Sequence, residues 1–220
     1  RGLENRSLKW ETTDTKNIGL DFGFFNNKLT GAMNYYYNQT EELLITKALP
    51  PSAGLNNPIL NVGKIRNSGV EVEINWADSK GGFDYNIGMN FSTTKNKVVE
   101  LADKGQVLYG EGLKYGTEHF PTQTRVGKPI GAFYLYKTNG LFQSNEEARQ
   151  YVNADGDEYQ PFADAGDIRY VDVNGDGYID DDDKVYCGSG IPTLEVNLNF
   201  SAGYKGFDLS VVLGSAWGHK

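Results

Sequence analysis

The sequence predicts an all-β protein, an antiparallel up-and-down transmembrane β-barrel to which this chain contributes about six spanning strands. Three observations lead to this class. The composition, with 27 Gly, 14 Tyr and 11 Phe against 2 Met, favours strands and turns over helices. Large apolar residues alternate with small or polar ones in long runs, and the connections between these runs are alternately short and long.

The alternating runs define the predicted strands. In Ile18–Phe24 every second side chain is large and apolar, and the residues between them are small or charged. The remaining runs are Leu29–Tyr37, Val70–Trp76, Phe83–Phe91, Leu194–Ser201 and Phe207–Trp217. Because successive side chains of a strand point to opposite sides, each run predicts one apolar and one polar face.

The connections predict the direction of the strands. Residues 26–28, 78–82 and 205–206 form short turns, whereas 40–64, 95–129 and 138–192 are long. Membrane barrels have tight turns on the periplasmic side and long loops outside. The residues beside the short turns are rich in aromatic side chains, as in an interfacial girdle: Phe24, Phe25, Trp76, Phe83, Tyr85, Tyr204 and Phe207.

One strand-like run, Ile130–Tyr136, does not fit this alternation. A single extra crossing there would place the turn at 205–206 on the wrong side of the membrane, so we expect this run in a folded extracellular region. That region also includes a loop insertion over residues 138–192, and a capping box at Ser144–Glu147 predicts a short helix there that runs toward Tyr151.

Bulk properties exclude several classes of protein. A net charge of -8 and a pI near 4.8, with no basic patch, argue against nucleic acid as a partner. The single Cys187 rules out an internal disulfide framework. We expect no transmembrane helix and no secretory signal in this stretch, and a mean hydropathy of -0.52 is compatible with barrel strands.

The most informative motif is the acidic run of residues 172–183. It places oxygen donors at the offsets of a twelve-residue calcium loop, with Gly177 at the sixth position where the chain turns sharply. The predicted ligands are the side chains of Asp172, Asn174, Asp176, Asp180 and Asp183 and the carbonyl of Tyr178. We therefore expect a structural Ca²⁺ ion, with Mg²⁺ as an alternative.

Two features limit the type of calcium loop. The twelfth position is Asp183 in place of the longer Glu, and the flanking residues 168–171 and 184–186 are extended, so this is not a helix-loop-helix sensor. An acidic surface turn without metal is the simpler alternative. A dockerin-like loop would need a second copy, and residues 153–157 are too short for one.

No constellation of residues predicts an enzyme. His119 and His219 are far apart in sequence, and Ser68, Ser189 and Ser215 lack a nucleophile-elbow motif. Six carboxylates fall on the polar faces of the strands, where a hydrated lumen explains them better than acid/base pairs: Asp21, Glu71, Glu73, Asp84, Glu195 and Asp208. A soluble β-sandwich also alternates, but its strands are shorter and its loops lack this asymmetry.

The chain resembles the carboxy-terminal barrel portion of the SusC/RagA family of TonB-dependent outer-membrane transporters of Bacteroidetes. The phrases that carry the resemblance are Leu8–Glu11, Asn17–Phe25, Asn67–Glu71, Gly127–Gly131, Asp172–Asp183 and Tyr204–Leu209.

The resemblance implies a bacterial outer-membrane location and a parent barrel with an internal plug. It also implies import of large nutrients, glycans or peptides, under a SusD-like lipoprotein and powered by TonB through a region absent from this chain. We expect residues 1–220 to be a fragment of that single barrel domain, with outer-membrane lipid on its apolar face.

A second function class remains open from the residues. A secreted or cell-surface calcium-dependent carbohydrate-binding or adhesion module would use exposed aromatic side chains to stack on sugars. The candidates are Tyr35, Tyr36, Tyr37, Tyr115 and Trp217.

Overall fold

The computed structural model describes residues 8–46, 59–110, 113–115 and 117–220. The chain divides into two compact units. The first contains the described residues up to 110 together with 123–131 and 189–220. The second contains the described residues of 111–122 and all of 132–188.

Strands dominate both units. In chain order they are β1 (Thr12–Phe24), β2 (Leu29–Glu41), β3 (Leu44–Thr46), β4 (Ile59–Asn61), β5 (Lys64–Lys80), β6 (Phe83–Thr93), β7 (Lys95–Glu100), β8 (Leu108–Tyr109), β9 (Leu113–Tyr115), β10 (Thr117–His119), β11 (Thr122–Thr124), β12 (Ala132–Tyr136), β13 (Thr138–Leu141), β14 (Ile168–Tyr170), β15 (Lys184–Gly188), β16 (Leu194–Tyr204) and β17 (Phe207–Trp217). One α-helix, α1 (Asn145–Arg149), and a 3₁₀ turn at Asp181–Asp183 complete the described elements.

The first unit is built on one antiparallel sheet in which all six predicted long strands are confirmed. Among the described residues the order is β1-β2-β5-β6-β16-β17, with β7 paired to residues 64–68 of β5. Apart from the step from β6 to β16, neighbours along the sheet are successive long strands of the sequence, as in an up-and-down barrel wall. The sheet is open, with β1 and β17 at its edges.

Tight turns fix the register of two hairpins. Gly81 and Gly82 have φ of 64° and 77°, and Lys205 and Gly206 have φ of 47° and 87°. Two consecutive positive φ angles characterise the type I′ turn, whose twist matches that of the flanking strands. The predicted turn at 78–82 was too long, because β5 continues to Lys80 and pairs there with Phe83.

β5 changes partners at Gly69. Its residues 71–80 pair with β6, and its residues 64–68 pair with β7. A Cβ atom at Gly69 would collide with the carbonyl oxygen of Thr93, so the two strands approach closely here because this residue has no side chain. The hydroxyl of Tyr36 in β2 also reaches this point and donates to the Thr93 carbonyl at 3.3 Å.

The second unit packs a small apolar core of its own. Phe142, Ala148 and Ala163 are buried together, and the ring of Tyr151 packs against them. β12 pairs with β15 and β13 pairs with β14. The expectation that Ile130–Tyr136 lies outside the row of long strands is therefore confirmed.

The predicted helix is present but shorter than expected. Ser144 is its N-cap and accepts from the N–H of Glu147 at 3.2 Å. The Glu147 carboxylate accepts from the N–H of Gln143 instead of completing a capping box. The helix ends at Arg149 because Tyr151 donates its N–H to Ala148 in a tight final turn, which directs the tyrosine ring into the core.

In the described part of the chain, no helix has the length and apolar content that crossing a bilayer requires.

Candidate functional site

The register places most of the large apolar residues of the six long strands on one face of the sheet. One row of directly opposed positions runs through Leu20, Met33, Val72, Phe91 and Val196. Leu20 is 63 % exposed and Met33 is 48 % exposed, although both are central in their strands. We call this apolar side the outer face.

The outer face is unlike the dry interior of a β-sandwich, in which facing layers interdigitate. Large apolar residues along it are exposed: Ile18, Phe24, Tyr35, Ile87, Leu198, Leu209, Leu213 and Trp217. A surface of this extent is expected where the surrounding medium is itself apolar.

Aromatic rings line the end of the outer face that carries the short turns. We call Phe24, Phe25, Trp76, Phe83, Tyr85, Tyr204 and Phe207 the aromatic belt. Ring centroids lie 6.1 Å apart for Phe25 and Trp76, 5.8 Å for Phe83 and Tyr85, and 6.3 Å for Phe83 and Tyr204. The belt therefore crosses the sheet as a nearly continuous chain of contacts, as an interfacial girdle would.

The opposite, inner face is polar. The row through Asp21, Ala32, Glu73, Asn90 and Asn197 runs beside the apolar row described above. The predicted inward carboxylates all lie on this face, and Asp84 and Asp208 each lie opposite Gly203 from the two sides of β16. A hydrated surface accounts for them without any catalytic role.

The acidic loop of residues 172–183 is folded by its own side chains. Asp172 accepts from the N–H groups of Gly175 at 2.6 Å and Gly177 at 2.9 Å. Asn174 accepts from the N–H of Asp176, and Asp176 accepts from the N–H of Tyr178, both at 2.9 Å. Gly177 has a φ of 92°, the conformation that the sequence assigned to this position.

Asp183 is the centre of this loop. Its side chain is fully buried, and one oxygen accepts from Val173 at 2.7 Å and from Asn174 at 3.3 Å. The other oxygen accepts from the N–H of Asp180 at 2.9 Å. Within the described residues no Lys, Arg or His forms a salt bridge with Asp183, so its buried charge is met by backbone N–H groups alone.

Two flanking segments support the loop. Asn153 donates its side-chain amide to the carbonyl of Gly177 at 3.1 Å, and the hydroxyl of Tyr159 donates to Asp172 at 3.3 Å. The sequence singled out residues 153–157 only as a rejected second loop, and their bracing role was missed. The feature that could have indicated this role is the local turn that Asn153 closes, in which its side-chain oxygen accepts from the N–H groups of Asp155 and Asp157.

Electrostatics around the loop reflect its dense negative charge. Burial and the nearby carboxylate of Asp181 raise the pKa of Tyr136 to about 12. Burial acts to raise the pKa of Asp172, but the N–H groups of Gly177 and Gly175 outweigh it and hold that pKa below its ordinary value.

The predicted metal ligands are thus close in sequence and share one loop, but their oxygens face backbone N–H groups. Over the described ranges, no group of three or more His, Cys, Asp or Glu side chains is arranged to hold a metal ion. The donor set of carboxylate, amide and carbonyl oxygens still suits a hard cation, because an oxygen that accepts one hydrogen bond retains a second lone pair.

Comparison with known proteins decides the family. The family model described as "TonB dependent receptor-like, beta-barrel" matches residues 2–214. The chain belongs to the TonB-dependent receptor β-barrel family. This agrees with the strand order, the exposed outer face and the aromatic belt.

Curated relatives match nearly the whole chain. The TonB-dependent receptor P3 of Formosa agariphila is 30% identical over 215 residues, which are 97% of this chain and 21% of that protein. The TonB-dependent receptor SusC of Bacteroides thetaiotaomicron is 28% identical over 215 residues, 95% of this chain and 20% of SusC. The chain therefore spans about a fifth of the length of the curated relatives it matches.

Solved structures show the same fold. The structure of the RagAB peptide transporter superposes with a TM-score of 0.72 at 21% identity, covering 98% of this chain and 22% of that chain. The RagAB peptide importer in its "open-open" state gives a TM-score of 0.73 at 19% identity over 99% of this chain and 22% of that one.

Family membership bears on three expectations. The chain is part of an outer-membrane protein, its sheet is part of a transmembrane barrel wall, and the family is not enzymatic. The resemblance to SusC/RagA transporters is confirmed, whereas the alternative of a secreted carbohydrate-binding or adhesion module is not favoured.

The structure also shows where several residues of the less favoured alternatives lie, namely the aromatic residues of the binding module and the histidines considered for an enzyme. The hydroxyl of Tyr36 is engaged by Thr93 and Thr94, so that ring is tied to the sheet. His219 is exposed near the last residue, and the side chains of Tyr115 and His119 lie outside the described part of the chain.

Proposed function

We propose that this chain forms adjacent wall strands and part of the extracellular surface of a TonB-dependent importer of large nutrients. The whole protein would take up glycans or peptides, work with a SusD-like surface lipoprotein and receive energy from TonB through a region outside this chain. The second unit, which contains residues 138–188 of the insertion, would lie on the extracellular side.

The observation that carries this proposal is the pairing of an exposed apolar outer face with a polar inner face on the same strands. Such a wall separates lipid from a water-filled interior, and the polar interior is what a transporter of hydrophilic cargo requires. Similarity to the proteins named SusC and RagAB supports the type of importer, and because RagAB is a peptide transporter, it supports peptides as one cargo class.

The proposal is tested on the full-length protein in its own outer membrane. After extraction in mild detergent, we expect a lipoprotein of the SusD type to copurify through a tag on the barrel. Deletion of the gene should abolish growth on one class of oligomer, glycan or peptide, and leave growth on the monomers unchanged. Release of the full-length protein without detergent, or growth unaffected on both oligomer classes, would contradict the proposal.

We further propose that the acidic loop binds Ca²⁺ as a structural ion, with Mg²⁺ as the competing candidate. The supporting observation is Asp183, a buried carboxylate without a cationic side chain as partner among the described residues. Buried charges in proteins are ordinarily paired or bound to metal. Asp172, Asn174, Asp176, Asp180 and the Tyr178 carbonyl would supply the other oxygens.

Calorimetric titration of the metal-free full-length protein discriminates between the two ions. We expect Ca²⁺ to bind and Mg²⁺ to compete weakly, because a flexible loop of oxygen donors accommodates the larger ion better than the octahedral geometry that Mg²⁺ demands. The Asp183→Asn variant should no longer show the heat of calcium binding. An unchanged titration in that variant would place the ion elsewhere.

A further inference from the structure

Four cations lie on the outer face beyond the apolar residues, at the end away from the aromatic belt. One row of opposed positions runs Lys16, Tyr37, Ser68, Lys95, and the next runs Asp14, Gln39, Arg66, Lys97. We call Lys16, Arg66, Lys95 and Lys97 the outer-face cation cluster. These four residues come together only because β1, β2, β5 and β7 pair in this register.

The cluster contains a pair of like charges at opposed positions. Arg66 and Lys97 occupy directly opposite positions on neighbouring strands, where like charges destabilise a sheet. Within the described residues, Lys95, Lys97 and Lys16 form no salt bridge. The single acid in the two rows is Asp14. In the next row Glu41 and Glu100 lie on either side of Lys64, and Glu41 is paired with it at 2.8 Å. An external anion would relieve this repulsion.

The arrangement around Tyr37 is suited to an anionic headgroup. The guanidinium of Arg66 lies 5.1 Å from the centroid of the Tyr37 ring, and the ammonium of Lys16 lies 5.9 Å from it. Arg66 donates one N–H to Gln39 at 3.1 Å, and its Nε is buried and has no acceptor in the described part of the chain. Arg is particularly suited to phosphate because its planar fork presents several donors.

The height of the cluster identifies the source of that anion. Trp76 in the aromatic belt and Arg66 lie on the same face of β5, separated by roughly ten residues that rise about 3.4 Å each. With a strand tilt of about 40°, Arg66 lies about 26 Å above the belt, against an apolar band of about 25 Å in such barrels. The short turns are periplasmic. The cluster is therefore level with the headgroups of the outer leaflet.

We propose that the outer-face cation cluster binds the phosphate groups of an anionic lipid in the outer leaflet. The apolar residues below it contact the acyl chains of the same lipid, and the cations fix its headgroup against the wall. This proposal depends on the membrane location of the sheet and is independent of which nutrient is imported.

The test uses the full-length protein in neutral detergent and native mass spectrometry with added lipid A as the probe. We expect lipid A to bind, and Lys95→Gln with Lys97→Gln to weaken binding roughly 30-fold, since each cation near a membrane surface contributes about a fivefold factor. Dephosphorylated lipid A should bind the unmodified protein at least as weakly as lipid A binds the double variant, because it loses the partner of all four cations. Both lysines are exposed and unpaired within the described residues, so the variant should fold.

Two controls make the test decisive. Lys80→Gln lies on the same face of β5 at the belt end and should leave binding unchanged. Lys97→Glu converts the repulsive pair into an attractive one, so it should stabilise the lipid-free protein while lowering lipid A binding. Equal binding of phosphorylated and dephosphorylated lipid A, or unchanged binding by the double variant, would overturn the proposal. Displacement by equimolar inorganic phosphate would reassign the site to a free anion and overturn it as well.

Discussion

The indole N–H of Trp76 donates to the hydroxyl of Tyr85 at 3.2 Å, which ties β5 to β6 within the aromatic belt. We expect Tyr85→Phe to lower the free energy of unfolding of the full-length barrel by about 1 kcal/mol, because the indole N–H loses its partner. Trp76→Phe should remove the same bond, so the double variant should be less destabilised than the sum of the two single variants.

Urea unfolding in detergent micelles, followed by tryptophan fluorescence or by circular dichroism in the variants without Trp76, measures this coupling. Tyr178→Phe is the matched control, because its side chain is 65% exposed and its hydroxyl has no hydrogen bond among the described residues. Strict additivity of the two belt substitutions would show that the bond contributes nothing to stability.

Leu198 and Asn197 are adjacent, both exposed, and lie on opposite faces of β16. Leu198→Arg should destabilise the membrane-inserted barrel by about 2–4 kcal/mol, because the charge would enter lipid. Asn197→Arg should change stability by about 0.5 kcal/mol or less, because its side chain would extend into water. Folding titrations into lipid vesicles measure the difference, and equal effects would mean that both faces meet the same medium.

Gly69 allows β5 to pass from one partner strand to the next. Gly69→Ala should cost about 1–3 kcal/mol, because the new Cβ collides with the Thr93 carbonyl and forces the strands apart. Ser68→Ala, one residue away, is the control and should be nearly neutral. The comparison is made by thermal unfolding of the full-length protein in detergent. A well-folded Gly69→Ala variant with unchanged stability would show that the close approach is not required.

The acidic loop should respond to metal locally. Chelation of Ca²⁺, or Asp176→Ala, should make residues from about 165 to 190 more sensitive to protease, because carboxylates that repel each other lose their common cation. The long strands should remain resistant. Asp155→Ala removes an exposed carboxylate outside the loop and should have no effect. Identical cleavage patterns with and without chelator would leave the loop as a metal-free turn.

The long strands could be predicted because their signal is local. A period of two in Val70–Trp76 or Phe83–Phe91 shows which side chains share a face, and two-residue turns such as Lys205–Gly206 set the register of their hairpins. The same local rules located Gly177 and the Ser144 cap. Strand ends were less predictable, because β5 continues past the last apolar residue of its run to Lys80.

Contacts between distant segments could not be predicted. Arg66 meets Lys97 only because β5 changes partner at Gly69, and nothing in the sequence near either cation indicates it. Asn153 reaches Gly177 through the fold of the second unit. In both cases the pattern is set by tertiary register, which a periodic sequence signal does not contain.

The adjacency of β6 and β16 has an evolutionary consequence. About 100 residues separate Thr93 from Leu194, yet the two lie opposite each other in the sheet. Because the entropy of closing a chain segment grows only logarithmically with its length, closing about 100 residues costs about 1.4 kcal/mol more than closing about 20. The intervening segment can therefore be lengthened, shortened or exchanged over evolution at little entropic cost, while β6 and β16 keep their pairing in the membrane-spanning sheet.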